Sequence, residues 1–364
     1  MSRIARRIVG FAAALVGLAL VAGVAALALF AYGNSPPPAP AYPFPEVDGI
    51  TLYPGGGEGG NQAVRLEVRR GESAQSVGNR LALAGLIRDR HFWNLLARFS
   101  DRHIRTGSYL IEIPASQLAI RRILEEGREL LLRVTVPEGL TVRETALVME
   151  NAGITTAAEF IAAASDPEIL ARFRIPGPTM EGFLFPDTYM FPAGFPAARI
   201  VQTMADNFFA QIAAIDRGML AVSPEELARL VVLASIVEKE YRVAEEAAIM
   251  AGVFQNRLDI GMALQSCATV VYVITEILGR PHPNRIFYVD LEIRSPFNTY
   301  MFPGLPPAPI ASPGAVALRA AFAPARTDYL FFRLRYEDTG HHTFSRTMDE
   351  HSRAAAHFRS RRDG

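Results

Sequence analysis

Cysteine is nearly absent from this chain. The one thiol, Cys267, excludes an internal disulfide and any cysteine-rich zinc site, because each needs a second thiolate nearby. Lysine is nearly absent too: Lys239 stands alone among basic residues that are otherwise arginine, a bias of nucleotide composition that singles out the one ammonium. Net charge is missing as well, since 37 Lys and Arg offset 37 Asp and Glu. A disordered polyampholyte and a nucleic-acid binder driven by bulk positive charge are both excluded, and no nucleic-acid partner is expected. His341, His342, His351 and His357 crowd the C-terminal segment, but H-E-x-x-H does not occur and no cysteine assists. No metal and no cofactor are therefore expected.

The 364 residues, half of them hydrophobic, have room for two ordinary domains. Ile8 to Tyr32 carries no charge and is mostly Ala, Leu and Val. As a helix rising about 1.5 Å per residue it covers the roughly 30 Å hydrocarbon core of a bilayer. Arg3, Arg6 and Arg7 precede it and the first charge after it is Glu46, so the positive-inside rule puts the N-terminus in the cytoplasm and the rest outside. Ala26-Leu27-Ala28 would suit a cleaved signal peptide, but the apolar run exceeds the usual h-region of about 7–15 residues, which favours an uncleaved anchor. The expected order is a cytoplasmic tail (1–7), a transmembrane helix (8–32) and a Pro/Gly-rich linker (33–62). In that linker Asn34 to Pro45 is a semi-rigid spacer and Tyr53 to Gln62 is flexible. Gly55, Gly57 and Gly60 satisfy G-x-G-x-x-G by accident of a glycine run, with no strand before them and no helix directly after.

Val64, Leu66 and Val68 alternate with charged residues, the period-two pattern of a half-buried strand. Ser73 and Asp89 are placed to cap two helices, Tyr109 to Ile113 reads as a strand, Ser116 opens a third helix that stops at Gly127, and Glu129 to Val136 reads as a strand. The span 63–134 is thus expected to be a small α+β domain. A shift of 68 places aligns Val68, Gly71, Ser73, Ala84 and Gly85 with Val136, Gly139, Thr141, Ala152 and Gly153. The strand-helix-helix pattern resembles the LysM module, which binds N-acetylated sugar polymers, although any short α+β unit shows a similar order.

Ser223-Pro224-Glu225-Glu226 is a strong helix start, with a serine N-cap, proline at the first helical position and Glu226 placed to close a capping box. Leu227, Leu230, Val231 and Ala234 fall on one face, and Glu238 returns to within about 20° of that line. Glu240 lies about 160° away around the axis and cannot share its site. A carboxyl group in apolar surroundings resists ionisation and can act as a general acid near neutral pH, which glycosidic cleavage requires. By position alone, a structural hydrogen bond or ion pair explains a buried Glu238 as well. Serine chemistry fails, because Lys239 falls one residue late for S-x-x-K after Ser235. Lys239 has no acid placed on its own helix to pair with, so it either offers a point charge to substrate or a facing acid, or it is a solvated lysine.

Several strings together resemble the endolytic murein transglycosylases, the YceG-like family. They are Met180-Glu181-Gly182-Phe183-Leu184-Phe185-Pro186-Asp187-Thr188-Tyr189, Ala234-Ser235-Ile236-Val237-Glu238-Lys239-Glu240, Val253-Phe254-Gln255-Asn256-Arg257-Leu258, Phe297-Asn298-Thr299-Tyr300, Gly304-Leu305-Pro306-Pro307, Ile310-Ala311-Ser312-Pro313-Gly314 and His342-Thr343-Phe344. The resemblance covers most of the chain from about Gly71 to Phe358. It implies cleavage of the β-1,4 bond between N-acetylmuramic acid and N-acetylglucosamine inside nascent peptidoglycan strands, with Glu238 matching the catalytic glutamate and a 1,6-anhydro ring as the product end. It also implies an α+β catalytic domain over 135–364, peptidoglycan strands as partner, penicillin-binding glycan polymerases as possible co-workers, and a single-pass inner-membrane protein with its catalytic part in the periplasm. A muramidase-type hydrolase and a non-catalytic peptidoglycan-binding scaffold are the alternatives.

Substrate contact is expected from Glu181, Asp187, Lys239, Gln265, Asn298, Tyr300 and His342. Glu181 and Asp187 flank aromatic residues that suit either a sugar-stacking groove wall or a packed turn. Asn298, Tyr300 and Gln265 carry groups suited to hydroxyl and acetamido partners, and His342 either shapes the cleft or packs. One departure stands out: where relatives commonly read L-Q-[TS]-D-[PA]-T-V-x-Y, Leu264-Gln265-Ser266-Cys267-Ala268-Thr269-Val270-Val271-Tyr272 has Cys267 in place of the acid.

Overall fold

The apolar N-terminal run forms the helix α1 (Arg3–Asn34) in the computed structural model, which describes residues 3–38, 44–52, 62–335 and 339–354. Within it Leu15–Asn34 has a mean hydropathy of 2.4, making α1 the one helix among the described residues long and apolar enough to cross a membrane. The glycine run at 53–61 and His357 lie outside the described residues. The described chain is mixed helix and strand, in the expected α+β class, and divides into two units at Leu131/Leu132.

In the first unit β1 (Ile50–Leu52), β2 (Gln62–Val68) and β3 (Gly107–Ile113) form an antiparallel sheet in that order, with Ile50 opposite Leu66 and Leu66 opposite Tyr109. Ile50–Leu52 thus joins a sheet from within the span read as linker. The alternation of β2 buries Val64, Leu66 and Val68 against α2 (Ala74–Leu83), α3 (Arg90–Phe99) and α4 (Gln117–Glu126). Ser73, Asp89 and Ser116 cap these helices by accepting the amides of Ser76, His91 and Ala119. Trp93 is fully buried over Gly78, where a side-chain carbon would collide with its indole ring. The end of α1 is bonded into the same unit: Gln117 Nε2 donates to the Gly33 carbonyl at 3.1 Å, and the Leu118 amide donates to Asn34 Oδ1 at 2.9 Å.

The second unit begins with β4 (Leu131–Thr135), which pairs with β5 (Thr188–Pro192). Between them lie α5 (Val142–Asn151), α6 (Ala157–Ala164) and α7 (Pro167–Phe173), followed by α8 (Ala197–Ile215), α9 (Pro224–Glu240), α10 (Ala244–Asp259), α11 (Cys267–Tyr272), α12 (Tyr288–Leu291) and α13 (Ala315–Phe322). A hairpin of β6 (Phe331–Leu334) and β7 (His342–Ser345) follows, and helical residues 348–354 end the described chain. Helix α9 is the axis of the core: Val231 to Val237 are all buried, and α10 and α13 pack on it.

The 68-residue shift has a geometric counterpart. Gly71 and Gly139 turn with φ of 78° and 77°, Gly85 and Gly153 with 69° and 70°, the left-handed region that glycine enters without penalty. Leu86 donates to the Leu81 carbonyl just as Ile154 donates to that of Met149, so each helix is closed by the same turn.

Candidate active site

Ser223 starts α9 by accepting the Glu226 amide at 3.1 Å. The reciprocal arm of the expected capping box is not formed, and Glu226 instead faces Arg229 one turn on, at 3.8 Å. The helix then runs through the core, and Glu238 emerges in its last turn.

Two backbone segments converge on that carboxyl group. Glu238 Oε2 accepts the Gly314 amide at 3.0 Å, at the start of α13. Its Cγ lies against Gly139, whose missing side chain would meet it at 3.7 Å. The segment leading to α13 is fixed to the core helix by Ser235, whose Oγ donates to the Val232 carbonyl at 2.7 Å and accepts the Ile310 amide at 3.1 Å. The same segment is fixed to the turn before α5, where Gly139 donates to the Ser312 carbonyl and Ser312 to that of Leu140, at 2.9 and 2.8 Å. Glu238 is therefore held by rigid elements on each side.

Burial pushes the Glu238 carboxyl up to about 7; the Gly314 N–H opposes the rise, the charge of Glu138 adds to it and Lys239 opposes it. Glu138 escaped the sequence reading. Its exposed carboxylate occupies the space that a side chain on Gly314 would fill, so two carboxylates flank one backbone amide. Tyr241, just beyond α9, completes the group: burial, then the charges of Glu238 and Glu138, hold its phenol protonated. The only local signal for this cluster was Pro137-Glu138-Gly139, an acid beside a turn glycine, and nothing in that string says what it packs against.

The expected contact residues separate into two sets. Lys239, Gln265 and His342 line one cleft of about 350 Å³ together with Glu240, Cys267 and Arg333, and Tyr300 reaches its edge with its hydroxyl 3.1 Å from Cys267 Sγ. Lys239 is the strap of the site: its Nζ donates to the Gly139 carbonyl at 3.0 Å. Gln265 adopts a φ of 52°, with its amide bonded to the Thr299 carbonyl, leaving its side chain exposed. Glu240 accepts from Ser266 Oγ on the far side of α9 from Glu238. The His342 ring is packed against Glu246, Nδ1 to Oε2 at 2.8 Å.

Glu181, Asp187 and Asn298 lie elsewhere, engaged with their own neighbourhoods. Both Glu181 oxygens accept the Val142 amide at 3.2 Å at the start of α5, and burial pushes that carboxyl up to about 8. Asp187 is exposed and accepts from the Thr188 amide and from Asn207 Nδ2. Asn298 is fully buried, with Nδ2 donating to the carbonyls of Leu291 and Ile293 and Oδ1 accepting the Tyr300 amide. Among the described residues no three His, Cys, Asp or Glu side chains gather as a metal site.

The model of the YceG-like family matches residues 66–357, which include every member of this cluster. The chain belongs to the YceG-like family. It is 26% identical over 308 residues to a Bacillus subtilis protein named endolytic murein transglycosylase, covering 80% of this chain and 83% of that one. A Streptococcus pneumoniae protein of the same name is 25% identical over 326 residues, and there the match spans 58% of the relative's length. Among solved structures, the YceG-like protein lmo1499 of Listeria monocytogenes superposes with a TM-score of 0.54 at 28% identity, over 80% of this chain and 99% of that chain.

Proposed function

We propose that this YceG-like protein is a membrane-anchored lytic transglycosylase that cuts peptidoglycan strands internally, at the β-1,4 bond between N-acetylmuramic acid and N-acetylglucosamine. The observation that carries the reading is Glu238: a carboxyl group that burial holds protonated near pH 7, fixed by a backbone amide at the end of a core helix. The protonated acid donates to the leaving glycosidic oxygen. The C6 hydroxyl of the same muramic residue attacks its anomeric carbon, and the Glu238 carboxylate takes the hydroxyl proton. The bond from C1 to the leaving oxygen is replaced by one from C1 to O6, the enzyme returns to its protonated form, and no water is consumed. An intramolecular nucleophile has a high effective molarity, so a single acid-base group suffices.

The neighbouring cleft, lined by Lys239, Gln265 and His342 but not by Glu238, with Tyr300 at its edge, is proposed to seat sugars of the strand that flank the bond being cut. Glu181, Asp187 and Asn298 are proposed to shape the walls around it rather than to carry the sugar. The anchor helix and the arginines in its first turns favour a single-pass inner-membrane protein with both units in the periplasm, where it would end strand elongation beside glycan polymerases of the penicillin-binding type. The strand-helix-helix-strand order of β2, α2, α3 and β3 supports a LysM-like glycan-binding role for the first unit.

Glu138 favours a second reading. A hydrolase needs another carboxylate to activate water, and one lies across Gly314 from Glu238. Digestion of uncrosslinked glycan by the full-length protein, read by mass spectrometry, separates the two reactions: anhydro ends weigh one water less than reducing ends. Glu238→Gln abolishes both products if either reading holds, and normal digestion by that variant would refute the enzyme.

A further inference from the structure

We propose that Glu138 is a positioning residue for Glu238: its carboxylate, seated over Gly314, keeps the proton on the acid. This rests on the general-acid reading of Glu238. The geometry comes from two glycines. Gly314 lends its amide to Glu238 and its empty side-chain position to Glu138, so any side chain at 314 would push the Glu138 carboxylate away. Gly139, with its φ of 77°, turns the chain directly after Glu138 and brings the turn against the Glu238 Cγ. Lys239 then bonds that turn to the helix bearing Glu238.

Among the described residues, the charged and titratable groups facing Glu238 are few. Glu138 comes from the turn before α5, Lys239 from its own helix and Tyr241 from the residues after it, while α13 contributes the Gly314 N–H. A negative charge at Glu138 opposes ionisation of Glu238, whereas the ammonium and the amide favour it. Glu138 is thus the side chain of this set whose charge keeps the acid loaded.

The test is the pH dependence of kcat/KM for glycan cleavage by the full-length protein. A general acid loses activity as pH rises through its pKa, so the alkaline limb reports Glu238. Glu138→Gln should move that limb to lower pH by roughly half a pH unit or more, as expected for loss of one nearby charge in a partly solvated site. Glu138→Asp, which keeps the charge, should restore most of the difference. Gly314→Ala, at an ordinary extended backbone, should displace the carboxylate without removing it and move the limb the same way, and it provides the same reading if Glu138→Gln fails to fold. An unmoved or raised limb in a folded Glu138→Gln or Gly314→Ala variant overturns the proposal. If that occurs while Glu238→Gln is inactive, the proposed reaction stands and only the role of Glu138 falls; an active Glu238→Gln removes the reaction itself.

Discussion

Lys239 donates from Nζ to the carbonyl oxygen of Gly139 at 3.0 Å, joining the end of the core helix to a turn one hundred residues earlier in the chain. The single lysine therefore holds the strip of backbone that carries Glu138 beside Glu238. Removing the ammonium unties that strip from α9 and leaves it held by its two backbone bonds with Ser312. Lys239→Met is expected to lower kcat about tenfold, while thermal unfolding shows a loss of about 1 kcal/mol, the net value of one partly exposed charged hydrogen bond. Lys239→Arg keeps a donor of different shape and should fall between the two. Full activity in the methionine variant would show that the turn holds its position unaided.

Gly139 tests the same turn from the other side. Its φ of 77° costs an L-residue about 1–2 kcal/mol, whereas the space around it is open enough for a methyl group, the nearest atoms being Lys239 Cδ at 3.6 Å and Glu238 Cγ at 3.7 Å. Gly139→Ala should therefore lose stability through its backbone, and activity as the turn relaxes away from Glu238. Gly139→Asn should recover part of the stability, because asparagine enters the left-handed region more readily. Equal melting temperatures for the alanine variant and the parent would contradict the role given to this glycine.

Glu181 gives a prediction about stability and pH that is independent of catalysis. Burial raises its carboxyl from an ordinary 4.5 to about 8, so the folded state binds the proton more tightly than the unfolded chain. Stability from this group is full below the unfolded value and is lost as pH rises through the folded one. Glu181→Gln keeps an oxygen to accept the Val142 amide and removes the titration. Its melting temperature should gain on the parent between about pH 5 and pH 8 and level off above that; a constant difference across the range would mean that Glu181 does not titrate.

What was legible in the sequence was local. The Ser223 start of α9, the apolar stripe along it and the emergence of Glu238 at its end follow from capping and helical period over neighbouring residues. Glu138 was not legible, because its meaning depends on Gly314 and Glu238, which are far away in the chain and adjacent only in the folded unit. Asn298 shows a different limit. An amide suits a sugar's hydroxyl and acetamido groups, but it suits the carbonyls of Leu291 and Ile293 equally, and side-chain chemistry alone does not choose between them. Glu226 shows how a local rule is overridden by a neighbour: Arg229, one turn on, faces the carboxylate that would have closed the capping box.

Cys267 makes the cleft directly testable. It is exposed at the first residue of α11, shares the cleft wall with Lys239, Gln265 and His342, and is the chain's one thiol, so a maleimide can react at no other cysteine. A bulky adduct there would occupy much of a space of about 350 Å³ and break the 3.1 Å contact with the Tyr300 hydroxyl. If the glycan lies in this cleft, labelling should abolish cleavage in proportion to the thiol consumed. Strands added before the reagent should slow labelling, and Cys267→Ser should be insensitive to the reagent. Full activity in a completely labelled protein would place the sugar away from Lys239, Gln265 and His342.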